Sequence, residues 1–280
     1  MEVSENKSAN GKLFKMEVTH ENPIQYKLNL NDLISVNDWI GKEIKLHWNG
    51  EIRCISCDKK TKTSFGQGFC YSCFMNEASA SPCILRPELC RAHLGEGRDV
   101  EWEERNHNQP HVVYLAATDI VKVGVTRSTQ IPTRWIDQGA SSVIVVAETP
   151  NRYLAGIIEV ALKDFFTDKT NWRNMLKNQI DESIDLIEEK WKLEELLPSD
   201  LAQYLCENDH IYIFDYPVQQ FPTVVKSVSF DKERTIQGKL LGIKGQYLLL
   251  DNDRVLNLRK HTGYIIEVNN STEEASSLLF

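Results

Sequence analysis

Residues 111–148, HVVYLAATDIVKVGVTRSTQIPTRWIDQGASSVIVVAE, decide the fold class. Two valine-rich runs, 111–117 and 121–127, flank the polar Thr118-Asp119 and read as a strand hairpin. Pro132 suits the first turn of a helix through Gln138, because its φ is already helical and its missing N–H has no intrahelical partner there. Gly139, just past the end, can take the left-handed conformation that stops a helix. Residues 141–148 are mostly apolar, as a buried strand requires. Thr149-Pro150 then reads as the N-cap and first position of a second helix. In it Leu154, Ile157, Ile158, Ala161, Leu162, Phe165 and Phe166 recur at helical spacing and make one apolar stripe. The order over residues 111–166 is β-β-α-β-α, so the fold class is α+β.

Outward from this block the texture changes on both sides. Residues 1–10 read as a frayed tail, and the alternating LFKMEV, YKLNLN and EIKLHW in 11–53 predict half-buried strands. Residues 54–105 are rich in Gly, Ser and Pro and carry no helical period of any length. Helix is expected from Thr170 to about residue 207. The last third alternates apolar runs with Gly, Pro and Asn-Asp turns, which predicts a small β-barrel or sheet. The expected parts are an N-terminal β lead-in (1–53), a zinc-binding region (54–105), the core with its helical extension (106–207) and a small β domain (208–280).

Composition narrows the class. Of 280 residues, 41% are hydrophobic and 26% charged, as in ordinary globular proteins and unlike fibrous or disordered chains. No apolar run approaches the roughly 18 residues that span a bilayer. The polar N-terminus lacks a secretory segment, which predicts a cytoplasmic protein with reduced thiols and no membrane partner. The net charge of −8 is concentrated in residues 181–200, with eight acids against two lysines. The rest is near neutral, so a local phosphate-facing patch is compatible with the total.

Six of the seven cysteines fall between Cys54 and Cys90. Cys54, Cys57, Cys70 and Cys73 form a Cys-x2-Cys-x12-Cys-x2-Cys array. Each pair can place two thiolates on one side of a tight knuckle, and two knuckles complete the tetrahedral shell that zinc prefers. Four thiolates leave no open position, so this zinc would be structural and would contribute folding energy. Cys83, Cys90 and His93 are a second candidate set, with His107 or His111 as a fourth ligand.

Phosphate-gripping groups crowd residues 126–141, TRSTQIPTRWIDQGAS. Arg127, Arg134 and Lys122 lie at one hairpin–helix junction with the hydroxyls of Thr126, Ser128 and Thr129. Trp135 either stacks on a base or packs in the core. Lys244, Arg254, Arg259 and Lys260 either form a second basic surface or belong to an ordinary barrel face.

The hairpin sequences HVVYLA and KVGVTR, with Arg134 and Glu159 on the following helices, resemble the GIY-YIG nuclease superfamily. In that superfamily a motif Tyr acts as or assists the general base, a helix Arg steadies the phosphate, and a helix Glu binds one divalent cation. The resemblance places these roles on Tyr114, Arg134 and Glu159, with Gly124 matching the second motif's Gly. Lys122 stands where that motif has its second Tyr, and Val112 and Val113 replace the first motif's Gly and Ile. Over nearly the whole length, CISCDKKTKTSFGQGFCYSCF, PELCRAH, QPHVVYLA, KVGVTRSTQIPTRWIDQGAS, GIKGQYLLLDN and LNLRKHTGY resemble a bacterial family known as domain of unknown function 2797. That family's pattern has further cysteines near Ala80 and Gly97, which are absent here.

The expectation is a nucleic-acid-processing protein with structural zinc, read first as a Mg²⁺- or Mn²⁺-dependent endonuclease in which Glu159 takes the cation. The alternatives are a non-catalytic zinc-containing nucleic-acid-binding module and a protein-interaction scaffold that uses the acidic helix. DNA and RNA are equally open, as is the oligomeric state.

Overall fold

The computed structural model describes residues 8–163, 165–166, 171–181, 183–194 and 196–271. They fall into two compact units, Met1–Tyr71 with Tyr216–Phe280, and Ser72–Asp215. The α+β expectation holds: both helices and several sheets are present.

The first unit is organised by the strand Glu43–Arg53. Ile44 and Leu46 point into the core while Glu43 and Lys45 do not, which is the period-2 alternation of a sheet with one buried face. This strand pairs antiparallel with Tyr264–Ser271 on one side and Thr235–Lys244 on the other. Ser8–Lys12 joins at the edge through Tyr264–Ser271. Thr235–Lys244 turns into Tyr247–Leu250, which turns into Arg254–Asn257; Asn252 and Asp253 sit at φ 56° and 64° between the last two. Those left-handed values suit a tight hairpin turn and the short polar side chains that tolerate it. Lys60–Thr61 and Lys226–Val228 complete eight strands, and Glu17–Thr19, Gln25–Asn29 and Leu33–Ser35 make a separate sheet.

Two sequence expectations change here. Residues 1–53 and 208–280 do not divide into separate β parts, because their strands alternate within one sheet. Residues 8–10 belong to a paired strand, not to a frayed tail.

The second unit contains the β-β-α-β-α block. His111–Ala117 pairs with Val121–Arg127 as a hairpin and with Ser142–Thr149 on its other side, all antiparallel, and Ile211–Ile213 extends the sheet. Every residue of the central His111–Ala117 is buried. The helix Arg152–Lys163 packs Ala155, Ile158 and Leu162 against Val113, Leu115, Ile144 and Val146 in one apolar cluster. At roughly 25 cal/mol per Å² of apolar surface, burial of this kind is the main force holding the block. The helix starts later than expected: Asn151 Oδ1 accepts from the Leu154 N–H at 3.0 Å, while the Thr149 hydroxyl donates to the carbonyls of His111 and Asn151. Phe165, expected in the apolar stripe, is exposed. Thr170, the expected start of the next helix, lies outside the described residues; Trp172–Leu176 and Leu186–Glu194 are the helices described beyond it.

Between Ala78 and Leu94 the chain makes four one-turn 3-10 helices, followed by the helix Val100–His107. Asp99 caps that helix by accepting the Trp102 N–H at 3.0 Å.

Candidate functional site

Tyr114 sits opposite Gly124 across the hairpin. The pairing is steric: a Cβ at residue 124 would lie 2.7 Å from the Tyr114 ring and hydroxyl, so only glycine lets the ring cross the neighbouring strand. The Tyr114 hydroxyl donates to Gln138 Oε1 at 2.8 Å. Burial pushes the phenol's pKa up, against the pull of the adjacent Arg134 guanidinium.

Arg134 and Gln138 are four residues apart and project from the short helix Thr133–Asp137 and its end. Trp135 and Ile136 anchor this helix in the core. Trp135 is 0% exposed and packs against Tyr114, Tyr212 and Phe214 with ring centroids 5.7, 4.8 and 6.3 Å away. The core alternative for Trp135 therefore applies, and its indole is not a platform for a base.

These residues open onto a cleft of about 370 Å³ within the second unit. Lys122, Arg127, Arg134 and Arg152 line it, against the single carboxylate Glu159. Arg127 donates to Asn106 Oδ1. Arg152 donates from Nε to the Cys83 carbonyl at 3.0 Å and from Nη2 to the Ile84 carbonyl at 2.9 Å. Burial lowers the pKa of both arginines, and a partly desolvated guanidinium attracts an anion more strongly than one in bulk water.

Glu159 is 9% exposed, and burial raises its pKa in spite of Lys163. The reason lies one turn earlier, where Gly156 packs so closely on the 87–89 turn that a Cβ would meet the Glu88 backbone nitrogen at 2.3 Å. Glu159 shares that face. Its Oε2 makes no hydrogen bond, and its charge partner is Lys163 Nζ at 3.5 Å.

Tyr114, Lys122, Arg127, Arg134 and Glu159 thus all line one cleft. Sequence reading missed Gln138, Arg152 and Asn106, which line it too. Two of them carried a signal: Gln138 is four residues from Arg134, and Arg152 is seven from Glu159, spacings that share a helix face. The second basic surface is not free: Arg254 pairs with Asp251, Lys260 with Asp231, and Lys244 is buried among aromatic rings.

The four cysteines of the array come together, with one sulfur from each of Cys54, Cys57, Cys70 and Cys73 within 4.8 Å of every other. Cys57 Sγ and Cys70 Sγ are 3.8 Å apart. Two thiolates on one tetrahedral zinc with bonds of about 2.3 Å should be about 3.8 Å apart, so the donor set fits. Burial pushes the Cys54 thiol up, but backbone N–H groups of Cys57, Cys70 and Ser56 outweigh it and bring it to about 6. The group could hold a metal ion such as zinc.

A second group consists of Cys83, Cys90, Glu103 and His107. His93 and His111 are not in it. His93 instead stacks on Tyr153 with ring centroids 4.5 Å apart. Of the two alternatives for a fourth ligand it is His107 that joins, because Glu103 and His107, at i,i+4 on Val100–His107, share one helix face. That spacing was the missed signal. The two neighbouring thiols pull apart: the contact with Cys90, aided by His107 and Ser81, lowers the pKa of Cys83, and the same contact together with burial raises that of Cys90. Burial lowers the His111 pKa to about 4, against the pull of its hydrogen bond to the Gln109 carbonyl.

Among the described residues, no helix is long and apolar enough to cross a membrane. Comparison with curated proteins and with solved structures finds no match. The sequence pattern of the family described as protein of unknown function (DUF2797) matches residues 41–266, and the chain belongs to that family.

Proposed function

We propose that the cleft of the second unit binds a nucleic-acid phosphodiester and, with a divalent cation, cleaves it. The observation that carries this reading is the convergence of Lys122, Arg127, Arg134 and Arg152 with the Tyr114 hydroxyl and one carboxylate, Glu159, on a single cleft. Four cations around one acid match the charge of a phosphodiester and of the oxyanion that develops when it is attacked. Glu159 is the one carboxylate lining the cleft, and a hard cation there would take the place of Lys163 Nζ at its Oε2, since Mg²⁺ is commonly held by one or two carboxylates with substrate phosphate. Such a cation supplies Lewis-acid polarisation of a phosphoryl oxygen.

The chain's own residues do the rest. Arg134 and Arg127 hold the phosphate oxygens in fixed guanidinium forks. The Tyr114 hydroxyl donates its hydrogen bond to Gln138 Oε1, which leaves the phenol oxygen's lone pairs as an acceptor that can orient the attacking water. Gly124 keeps the ring in place. The Cys54–Cys73 array, holding structural zinc, braces the segment that carries it.

A second reading, binding without cleavage, is favoured by the Glu159–Lys163 ion pair and by the buried phenol of Tyr114. Binding is tested with labelled single and double strands of DNA and RNA over a salt series. Replacing Arg127 and Arg134 together with Ala should weaken binding and lower the slope of log affinity against log salt by about 2, with little change in sequence preference. Unchanged binding of the double variant at low salt sinks both readings.

A further inference from the structure

We propose that Cys83, Cys90, Glu103 and His107 form a second, closed metal site that takes a zinc-class divalent cation and fixes one wall of the cleft. The four donor atoms lie within 4.8 Å of one another, and all four residues are buried. Cys83 Sγ and His107 Nδ1 are 3.7 Å apart. A thiolate and an imidazole sharing one tetrahedral zinc should be about 3.6 Å apart. His107 Nδ1 and Glu103 Oε2 are 2.6 Å apart, a hydrogen bond that binding replaces as the two atoms separate to about 3.3 Å around the ion. Two thiolates, an imidazole and one carboxylate select zinc-class ions over Mg²⁺ or Ca²⁺.

Three observations favour a metal over an ordinary polar core. First, the segment has little else to hold it: its apolar cluster is Cys83, Cys90 and Ala92, with Tyr153 packed alongside. Second, nearby guanidinium groups are committed elsewhere. Arg91 pairs with Glu96, Arg98 donates to the carbonyls of Phe74 and Glu77, and Arg152 donates to those of Cys83 and Ile84. Among the described residues the ion pair of Glu103 is with His107 alone. A buried carboxylate beside thiols is costly without a cation. Third, a nucleophilic triad is excluded by the ring, because Cys83 and Glu103 both face Nδ1 of His107. A triad needs its nucleophile and its orienting acid on opposite ring nitrogens.

Gly97 is part of the construction, since a Cβ there would lie 2.6 Å from Glu103 Cγ and push the carboxylate away. The site reaches the cleft directly: His107, Ile84 and Arg152 line it, and Arg152 is tied to the Cys83 carbonyl. This inference does not depend on the nucleic-acid reading, because metal content is measured without any substrate.

The test is the metal content of the full chain by elemental analysis and native mass spectrometry, with Co²⁺ substitution to report thiolate coordination. The expected result is two equivalents per chain. Cys83→Ser/Cys90→Ser should keep one equivalent and lose part of the cobalt–thiolate absorption. Gly97→Ala should weaken the second equivalent at least tenfold and leave the first unchanged. One equivalent in the natural chain overturns the proposal, as does a Cys83–Cys90 disulfide found by mass after alkylation. If the double-serine variant does not fold, the stoichiometry and cobalt spectrum of the natural chain decide.

Discussion

The apolar block of residues 111–163 and the cysteine-bearing segment before it are built on different principles. In the block, Val113, Leu115, Ile144, Val146, Ile158 and Leu162 form a continuous core under a four-stranded sheet. Residues 54–94 hold only a two-residue strand, one short helix and single-turn 3-10 helices, with their sulfur atoms gathered into groups. Water exclusion specifies the first region, whereas the second has little apolar core and two groups of side chains that could hold metal. The two should therefore respond to different insults.

The largest contrast comes from metal. Cys54→Ser, or a strong chelator, should remove zinc whose apparent binding energy in small zinc modules is about 10–16 kcal/mol. Hydrogen exchange should show residues 54–76 losing protection while 111–117 keep theirs. Retained protection in both regions without metal would falsify the division.

Ile158→Ala attacks the other side. Its side chain is fully buried in the apolar cluster, and such truncations cost about 2–5 kcal/mol. Denaturant midpoints should fall accordingly with the metal content unchanged; zinc lost in step with the midpoint would erase the distinction.

Acid separates them again. His111 is 0% exposed and its pKa is held at about 4 by burial, below the 6.5 of a free imidazole. The unfolded chain therefore binds the proton first, so stability present above pH 6.5 is lost as pH falls through that window to 4, by about 3 kcal/mol. His111→Asn should flatten this part of the profile in urea titrations. An identical pH slope in the variant would exclude His111 as the cause.

The smallest effect sharpens the site itself. Gly124→Ala places a methyl 2.7 Å from the Tyr114 ring and should cost about 1–3 kcal/mol while moving the phenol off Gln138. A variant as stable as the parent, with the tyrosine unmoved in its spectrum, would count against the register that positions Tyr114.

What the sequence made legible follows the same division. The order of strands and helices over residues 111–163 was readable, because each element carries its own apolar period. The Cys54–Cys73 array was readable from spacing alone. The sheet shared by Glu43–Arg53, Tyr264–Ser271 and Thr235–Lys244 was not, since pairing between strands some two hundred residues apart leaves no local pattern. Glu103 shares a helix face with His107, but nothing local shows that the segment 78–95 folds back to bring Cys83 and Cys90 beside them. The burial of Glu159 was not legible, because the close packing of Gly156 on the 87–89 turn is a tertiary contact.

The cation-dependent chemistry on a phosphodiester proposed for the cleft runs through Glu159. Its most direct test compares Mn²⁺-dependent cleavage of labelled strands by the parent and by Glu159→Gln, which keeps the side chain's shape and removes its charge. The expected result is cleavage by the parent and a loss of about 100-fold or more in the variant, with binding, zinc content and melting temperature nearly unchanged. Equal cleavage by both proteins, or binding by the parent without cleavage of any strand, would contradict it.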